Sequence, residues 1–168
     1  MELRLILALC LVLGSALCGK ALADGARRRA RTLAALEEGT RRLRIHMTSL
    51  FEPVRDALER SDCPLFALVG GAMAGGLSAG EGWLRAQKRA SRRGGPIDAL
   101  DEGDRQLLDR LFSRLGQSGR EEQEALLDAV LRALAERRDE AAEKARQAEK
   151  LYLTLGLLTG IMLALVVL

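Results

Sequence analysis

The side chains able to do chemistry in this chain are few and widely spaced. His46 is the one histidine, and the three cysteines are Cys10, Cys18 and Cys63. A metal site needs several ligands converging on one point. His46 has no Cys, Asp or Glu at ligand spacing along its helix, since Glu52 and Asp56 fall too far on. It reads as a surface histidine. Serines such as Ser61, Ser78 and Ser118 fall in turn and cap positions, where a hydroxyl satisfies backbone N–H groups. The glycines at 70, 71, 75, 76, 80 and 82 invite comparison with a phosphate loop, but no Gly-Lys-Ser/Thr comes after them, so that pattern fails. Carboxylates alternate with arginines in the manner of solvated helix faces. No catalytic residue, no cofactor-binding residue and no metal ligand is assigned, no cofactor or small-molecule substrate is expected, and the expectation is a protein that holds partners rather than an enzyme.

The elements that carry these residues can be read from how charge is distributed. The 168 residues are 48% apolar and 29% charged, with a net charge of +3. Among the charged residues only Glu2, Arg4 and Lys20 precede residue 24, and none lies beyond Lys150. Two nearly uncharged runs, 3–23 and 151–168, therefore flank a densely charged middle segment, 24–150. The middle is close to neutral and has no basic stripe, and an aromatic content of 3% offers no base-stacking surface. Nucleic acid is not an expected partner.

Each apolar run is expected to be a transmembrane helix. The second, at roughly 1.5 Å per residue, reaches about 27 Å, enough for a bilayer core. Ala21-Leu22-Ala23 has the small-x-small form of a signal-peptidase site, so a cleaved signal competes with an anchor for the first run. Arg27, Arg28, Arg29 and Arg31 directly after it oppose export of the downstream segment and favour an uncleaved anchor. Lys144, Arg146 and Lys150 flank the second run in the same sense. Arg27, Arg28, Arg29, Arg31 and Lys150 are thus the topology-determining residues of a two-span, multi-pass membrane protein. Its termini are expected outside and its middle domain in the cytoplasm. Cys63, the one cysteine outside the apolar runs, fits a reducing compartment. Gly156 and Gly160 form a G-x-x-x-G pair that would let another helix approach closely, although glycine is common in membrane helices for other reasons.

Within the middle domain, residues 27–60 read as a helix. Leu33, Leu36, Leu43, Met47, Leu50, Val54 and Leu58 recur at three- and four-residue steps, with Thr40 the polar member of the stripe. Pro53 predicts a break or kink and a new helix start. Leu65–Gly82 reads as a buried helix packed through its glycines, with a membrane-associated segment as the competing reading. Ser78 with Glu81 makes a capping box, Gly94-Gly95-Pro96 a linker, and Asp101 with Asp104 a further helix start. Gly116 suits the position just past the next helix. Ser118 and Glu121 make another capping box, opening the longest helix. Beyond Glu136 its stripe turns to Ala141, Ala142, Ala145 and Ala148, which serves either close packing or a solvated stalk. Trp83 reads as a core residue and Tyr152 as an anchor at the mouth of the second span.

The second half carries a family resemblance. Its segments LLDRLFSRLGQSGREEQEALLDAVLRAL and KLYLTLGLLTGIMLALVVL resemble the stage III sporulation protein AB family. That family has a similar LG-x-S/D-R-x-x-Q stretch, a long charged helix and a Lys-Leu-Tyr-x-x-Leu-Gly start to a C-terminal span. PVRDAL at Pro53–Leu58 matches a Pro-Leu-x-x-Ala-Leu step in the first half. Gly119 replaces the more usual acidic residue before Arg120, and the glycine-rich 70–82 stretch departs from the pattern. The resemblance implies an all-α fold: a cytoplasmic bundle of about five to six helices, like the F domains of type II secretion and type IV pilus platforms, between two membrane helices. It implies a platform subunit of the mother-cell-to-forespore channel complex, in the mother-cell membrane around the forespore. The implied partners are a cytoplasmic secretion-type ATPase (stage III sporulation protein AA) and other stage III sporulation A-group membrane subunits. A membrane-anchored helical tether or regulator with no ATPase contact is the alternative.

Overall fold

The computed structural model describes residues 2–90 and 95–167, and among them every regular element is helical. Six helices succeed one another: α1 Glu2–Thr48, α2 Val54–Arg60, α3 Pro64–Ala72, α4 Ala79–Ala90, α5 Glu102–Arg114 and α6 Arg120–Val167. The expectation of an all-α chain holds. Two compact units are formed, one of Arg29–Asp139 and one of Met1–Arg28 with Glu140–Leu168.

α1 differs from the helix expected over 27–60. It runs unbroken from Glu2, so the arginine block lies within a helix and not at its start, and it stops at Thr48. Glu52, placed before Pro53, is sterically disfavoured in helical geometry. The chain therefore reverses through Ser49–Pro53. The last carbonyls of α1 are satisfied in this reversal: Ser49 N and Leu50 N both donate to Ile45 O (3.0 and 3.2 Å), and Glu52 N donates to His46 O (3.0 Å). Pro53 then precedes the short helix α2.

The core of the Arg29–Asp139 unit collects the apolar faces of all six helices. Leu33, Leu36 and Leu43 from α1 are buried, as are Leu58, Phe66, Val69, Leu108, Leu111, Phe112, Leu127 and Leu134. Each such side chain withdrawn from water contributes about 1.5–3 kcal/mol before chain entropy is counted. Trp83 is the largest of them, as its sequence position suggests. It stacks on Phe112 (centroids 5.1 Å apart, 27°), and Phe66 meets Phe112 edge-on at 5.7 Å. The indole Nε1 donates to Asp109 Oδ1, so the one polar atom of Trp83 is satisfied. Thr40 is tolerated at 0% exposure because its hydroxyl donates to Leu36 O at 2.7 Å.

Leu65–Gly82 is not one helix. α3 ends at Ala72, and Gly75 and Gly76 take φ values of +93° and +87°, which a residue with a Cβ rarely adopts. α4 then starts at the expected capping box: Ser78 N and Oγ both donate to Glu81 Oε2 at 2.9 Å. Close packing through glycine is realised at Gly82, where a Cβ would stand 2.7 Å from Met73 Cγ. Asp101 and Asp104 form the reciprocal box that opens α5. Gly94 of the expected linker lies outside the described residues; Gly95–Leu100 make a turn that buries Ile97 and Leu100. The capping box expected at Ser118 and Glu121 is replaced, because the Ser118 hydroxyl receives Gln123 Nε2 at 2.6 Å.

In the other unit Ala141 and Ala145 are buried, so this part of the alanine stripe is packed and not a solvated stalk. Arg27 pairs there with Glu149 at 2.5 Å. Among the described residues no helix is long and apolar enough to cross a membrane. The structure therefore offers no support for the transmembrane helices expected over 3–23 and 151–168, whose backbones are helical through residue 167 and whose side chains lie mostly outside the described residues.

Candidate interaction surface

Charged groups hold α1 and α6 together along the Arg29–Asp139 unit. Near one end, Arg44 reaches Glu124 at 2.8 Å and Asp128 at 3.1 Å. Further along, Glu37 accepts from Arg138 at 2.6 Å. Beyond that, Arg29 and Arg137 converge on Asp104 of α5. Numbers rise on α1 as they fall on α6, so the two helices run antiparallel. Asp104 is 1% exposed. Burial by itself would push its carboxyl up, but the hydrogen bonds from Arg29, from the Asp101 N–H and from Arg137 outweigh burial and hold it below the ordinary carboxylate range.

This frame fixes the end of the unit where the α1–α2 reversal meets the turn between α5 and α6. That turn contains the LG-x-S-x-R-x-x-Q residues, and each has a visible task. Leu115 is buried, and Gly116 takes φ +78° with its Cα facing Val54, where a Cβ would come within 2.8 Å of Val54 Cγ2. Gln123 staples the turn: its Oε1 accepts from Gly116 N (3.1 Å), and its Nε2 donates to Arg114 O (3.0 Å) and Ser118 Oγ (2.6 Å). Arg120 does not join the staple. Its guanidinium lies 4.8 Å from the centroid of the Phe51 ring.

On the α1–α2 side, His46 is half-buried rather than fully at the surface. The reversal folds Glu52 back over it, placing His46 Nδ1 3.0 Å from Glu52 Oε2, and Arg60 holds the other oxygen of Glu52 at 2.8 Å. Helical spacing alone put Glu52 out of reach, and the turn brings it back. Phe51 between them has φ +57° and is 69% exposed. Leu50 and Ile45 beside it are 56% and 51% exposed. This end of the unit is therefore an apolar tip with a cation on it.

The residues expected to set topology are divided by the structure. Arg29 is taken up by Asp104 and Asp101, with its side chain 14% exposed, and is part of the core frame rather than a free flanking charge. Arg27 pairs with Glu149, while Arg31 and Lys150 are exposed. Gly156 and Gly160 lie in the helical backbone of α6, and what surrounds them falls outside the described residues. Cys63 is free and buried, and burial pushes its thiol up. Among the described residues no group of three or more His, Cys, Asp or Glu could hold a metal ion. Sequence reasoning did not single out Phe51 as an exposed ring or Asp104 as the acid on which Arg29 and Arg137 converge. For Phe51 the available signal was a large apolar residue off the α1 stripe, two places before a proline.

The family model for stage III sporulation protein AB matches residues 4–168 of the chain. No curated protein and no solved structure matches it.

Proposed function

The chain belongs to the stage III sporulation protein AB family and so has a role in sporulation, and from that premise we propose that it is a non-enzymatic membrane platform subunit. In this reading the runs 3–23 and 151–168 are membrane helices and the domain between them is cytoplasmic. The membrane is the mother cell's, around the forespore. The domain docks a cytoplasmic secretion-type ATPase, stage III sporulation protein AA, and the other A-group subunits of the channel complex complete the assembly.

The observation that carries this reading is the continuity of α6. It starts at the stapled turn, passes Lys150 without a break in helix, and continues into the second apolar run. Among the described side chains of that run Leu151, Leu155, Leu158 and Met162 are 48–69% exposed. Large apolar side chains exposed in this way would be a liability in water, whereas lipid or a neighbouring membrane helix would cover them. The basic residues at Arg27–Arg31 and Lys144–Lys150 favour a cytoplasmic domain. A docked ATPase would thus act on a domain joined to its anchor by helix.

The test is association of the full-length chain, in detergent micelles, with purified stage III sporulation protein AA at low salt. Co-elution is expected, weakened by charge reversals on the exposed face of 120–150. No detectable association would leave the tether or regulator reading in its place.

A further inference from the structure

Cations and acids are unevenly matched across the Arg29–Asp139 unit. Between Glu81 and Asp98 the chain carries Arg85, Lys88, Arg89, Arg92 and Arg93 and no acidic residue. On the other helices most arginines meet carboxylates of the unit: Arg41, Arg42 and Arg44 on α1, Arg55 and Arg60 on α2, Arg137 and Arg138 on α6. Arg31 and Arg132 are exposed without such a partner, one on α1 and one on α6. On α4 and α5 the unpaired state is the rule. Lys88, Arg89, Arg110 and Arg114 are all exposed, and among the described residues no carboxylate lies within ion-pair distance of any of them.

The acids of these two helices and their caps are engaged elsewhere. Glu81 caps α4 through Ser78 and faces Arg85, and Asp109 accepts from Trp83 Nε1 and Gln87 Nε2. Asp101 and Asp104 receive Arg29 and Arg137. Glu102 accepts only from Gln106, at 3.4 Å. The two helices lie side by side: a Cβ at Gly80 would stand 3.5 Å from Ser113 Cα, and Gln87 reaches Asp109 at 3.1 Å. Arg85, Lys88 and Arg89 share one face of α4 by their three- and four-residue spacing, and Arg110 and Arg114 share one face of α5.

Such cations are complemented by acids from outside the unit, and the surroundings select among anionic partners. Trp83 and Phe112 are buried, so these helices offer no ring on which a base could stack. Glu81, Glu102 and Asp109 are exposed among the cations. A uniform anionic lipid sheet would meet those carboxylates too, whereas discrete acidic side chains of a protein can pair with the cations and avoid them. We propose that Lys88, Arg89, Arg110 and Arg114 form a docking face for an acidic segment of the partner ATPase. The inference rests on the ATPase-docking reading above and adds to it this surface and the chemistry of what it meets.

The test measures binding of the full-length chain, in detergent micelles, to purified stage III sporulation protein AA. Lys88→Glu with Arg89→Glu reverses two of the cations, and Lys88→Gln with Arg89→Gln only neutralises them. Arg41→Glu with Arg55→Glu makes the same change in net charge on α1 and α2. Melting temperatures establish that each variant is folded. Reversal on α4 should weaken binding by more than about tenfold and neutralisation by less, with the control pair within about threefold of wild type. Higher salt should narrow the gap between wild type and the α4 reversal. In vesicles of phosphatidylcholine, with or without phosphatidylglycerol, wild type should bind the ATPase equally; loss in the anionic vesicles alone would assign the face to lipid and overturn the proposal. Unchanged affinity in the α4 reversal, or an equal loss in the control pair, would overturn the docking face and leave the ATPase reading standing. Absence of binding by the wild type would overturn both.

Discussion

Arg29 and Asp104, 75 residues apart, form a two-pronged pair: Arg29 Nε meets Asp104 Oδ2 at 2.7 Å and its terminal nitrogen meets Oδ1 at 2.9 Å. The same carboxylate receives Arg137 from α6 at 3.2 Å and the Asp101 N–H at the start of α5. One buried acid therefore ties α1, α5 and α6 together.

Removing that acid should cost far more than removing a surface charge. Asp104→Ala leaves Arg29 with Asp101 alone and Arg137 without its nearer acid, and is expected to destabilise the unit by about 3 kcal/mol. A surface control such as Asp139→Ala should stay within about 0.5 kcal/mol. Chemical denaturation of the full chain in micelles, monitored by helix signal, would show a large fall in midpoint for the first and little change for the second.

The pair also predicts how stability responds to acid. Asp104 is held below its ordinary value of about 3.9, so its contribution is fully present above that pH and is lost as pH falls through the lowered folded value. Wild type should therefore lose stability below about pH 4, and Asp104→Asn should lose less over the same range. Denaturation midpoints from pH 6 downward would read this, and parallel curves for the two proteins would refute it.

Gln123 makes three hydrogen bonds that close the α5–α6 turn, and it is 5% exposed. Gln123→Leu keeps the bulk but leaves the Gly116 N–H and the Arg114 carbonyl without this partner. The expected cost is about 2–3 kcal/mol. Hydrogen exchange should show the loss first at Gly116–Gly119.

Cys63 is 2% exposed, and a Cβ placed at Gly39 would stand 2.5 Å from Cys63 Cβ, so α1 lies directly on the thiol. An impermeant thiol reagent is expected to leave Cys63 unlabelled in the folded chain even with the membrane opened, and to label it only after denaturation. Gly39→Ala should destabilise by about 1–3 kcal/mol through overpacking and make Cys63 label sooner.

Topology is better read from an exposed position. Arg110→Cys, in a chain carrying Cys10→Ala and Cys18→Ala, should react with the impermeant reagent only once the membrane is opened. Labelling in intact cells would place the domain on the other side.

The sequence alone determined that the chain is helical and set part of its punctuation. Periodic leucines, the boxes at Ser78–Glu81 and Asp101–Asp104, and Gly116 are local signals, and local signals survive folding because they act through hydrogen bonds within a few residues. It also marked Trp83 for the core, and its motifs carried the family resemblance that the match over residues 4–168 bears out. What only tertiary structure decided depends on residues distant in sequence. Arg29 reads as a flanking charge until Asp104 arrives from α5, and Glu52 lies beyond helical reach of His46 until the reversal before Pro53 folds it back. Leu65–Gly82 has the composition of a single apolar helix, but the positive φ of Gly75 and Gly76 turns it into two. The Phe51–Arg120 pair is the plainest case. An apolar residue in a turn predicts burial, and only the meeting of two loops shows that this ring stays in solvent under a guanidinium.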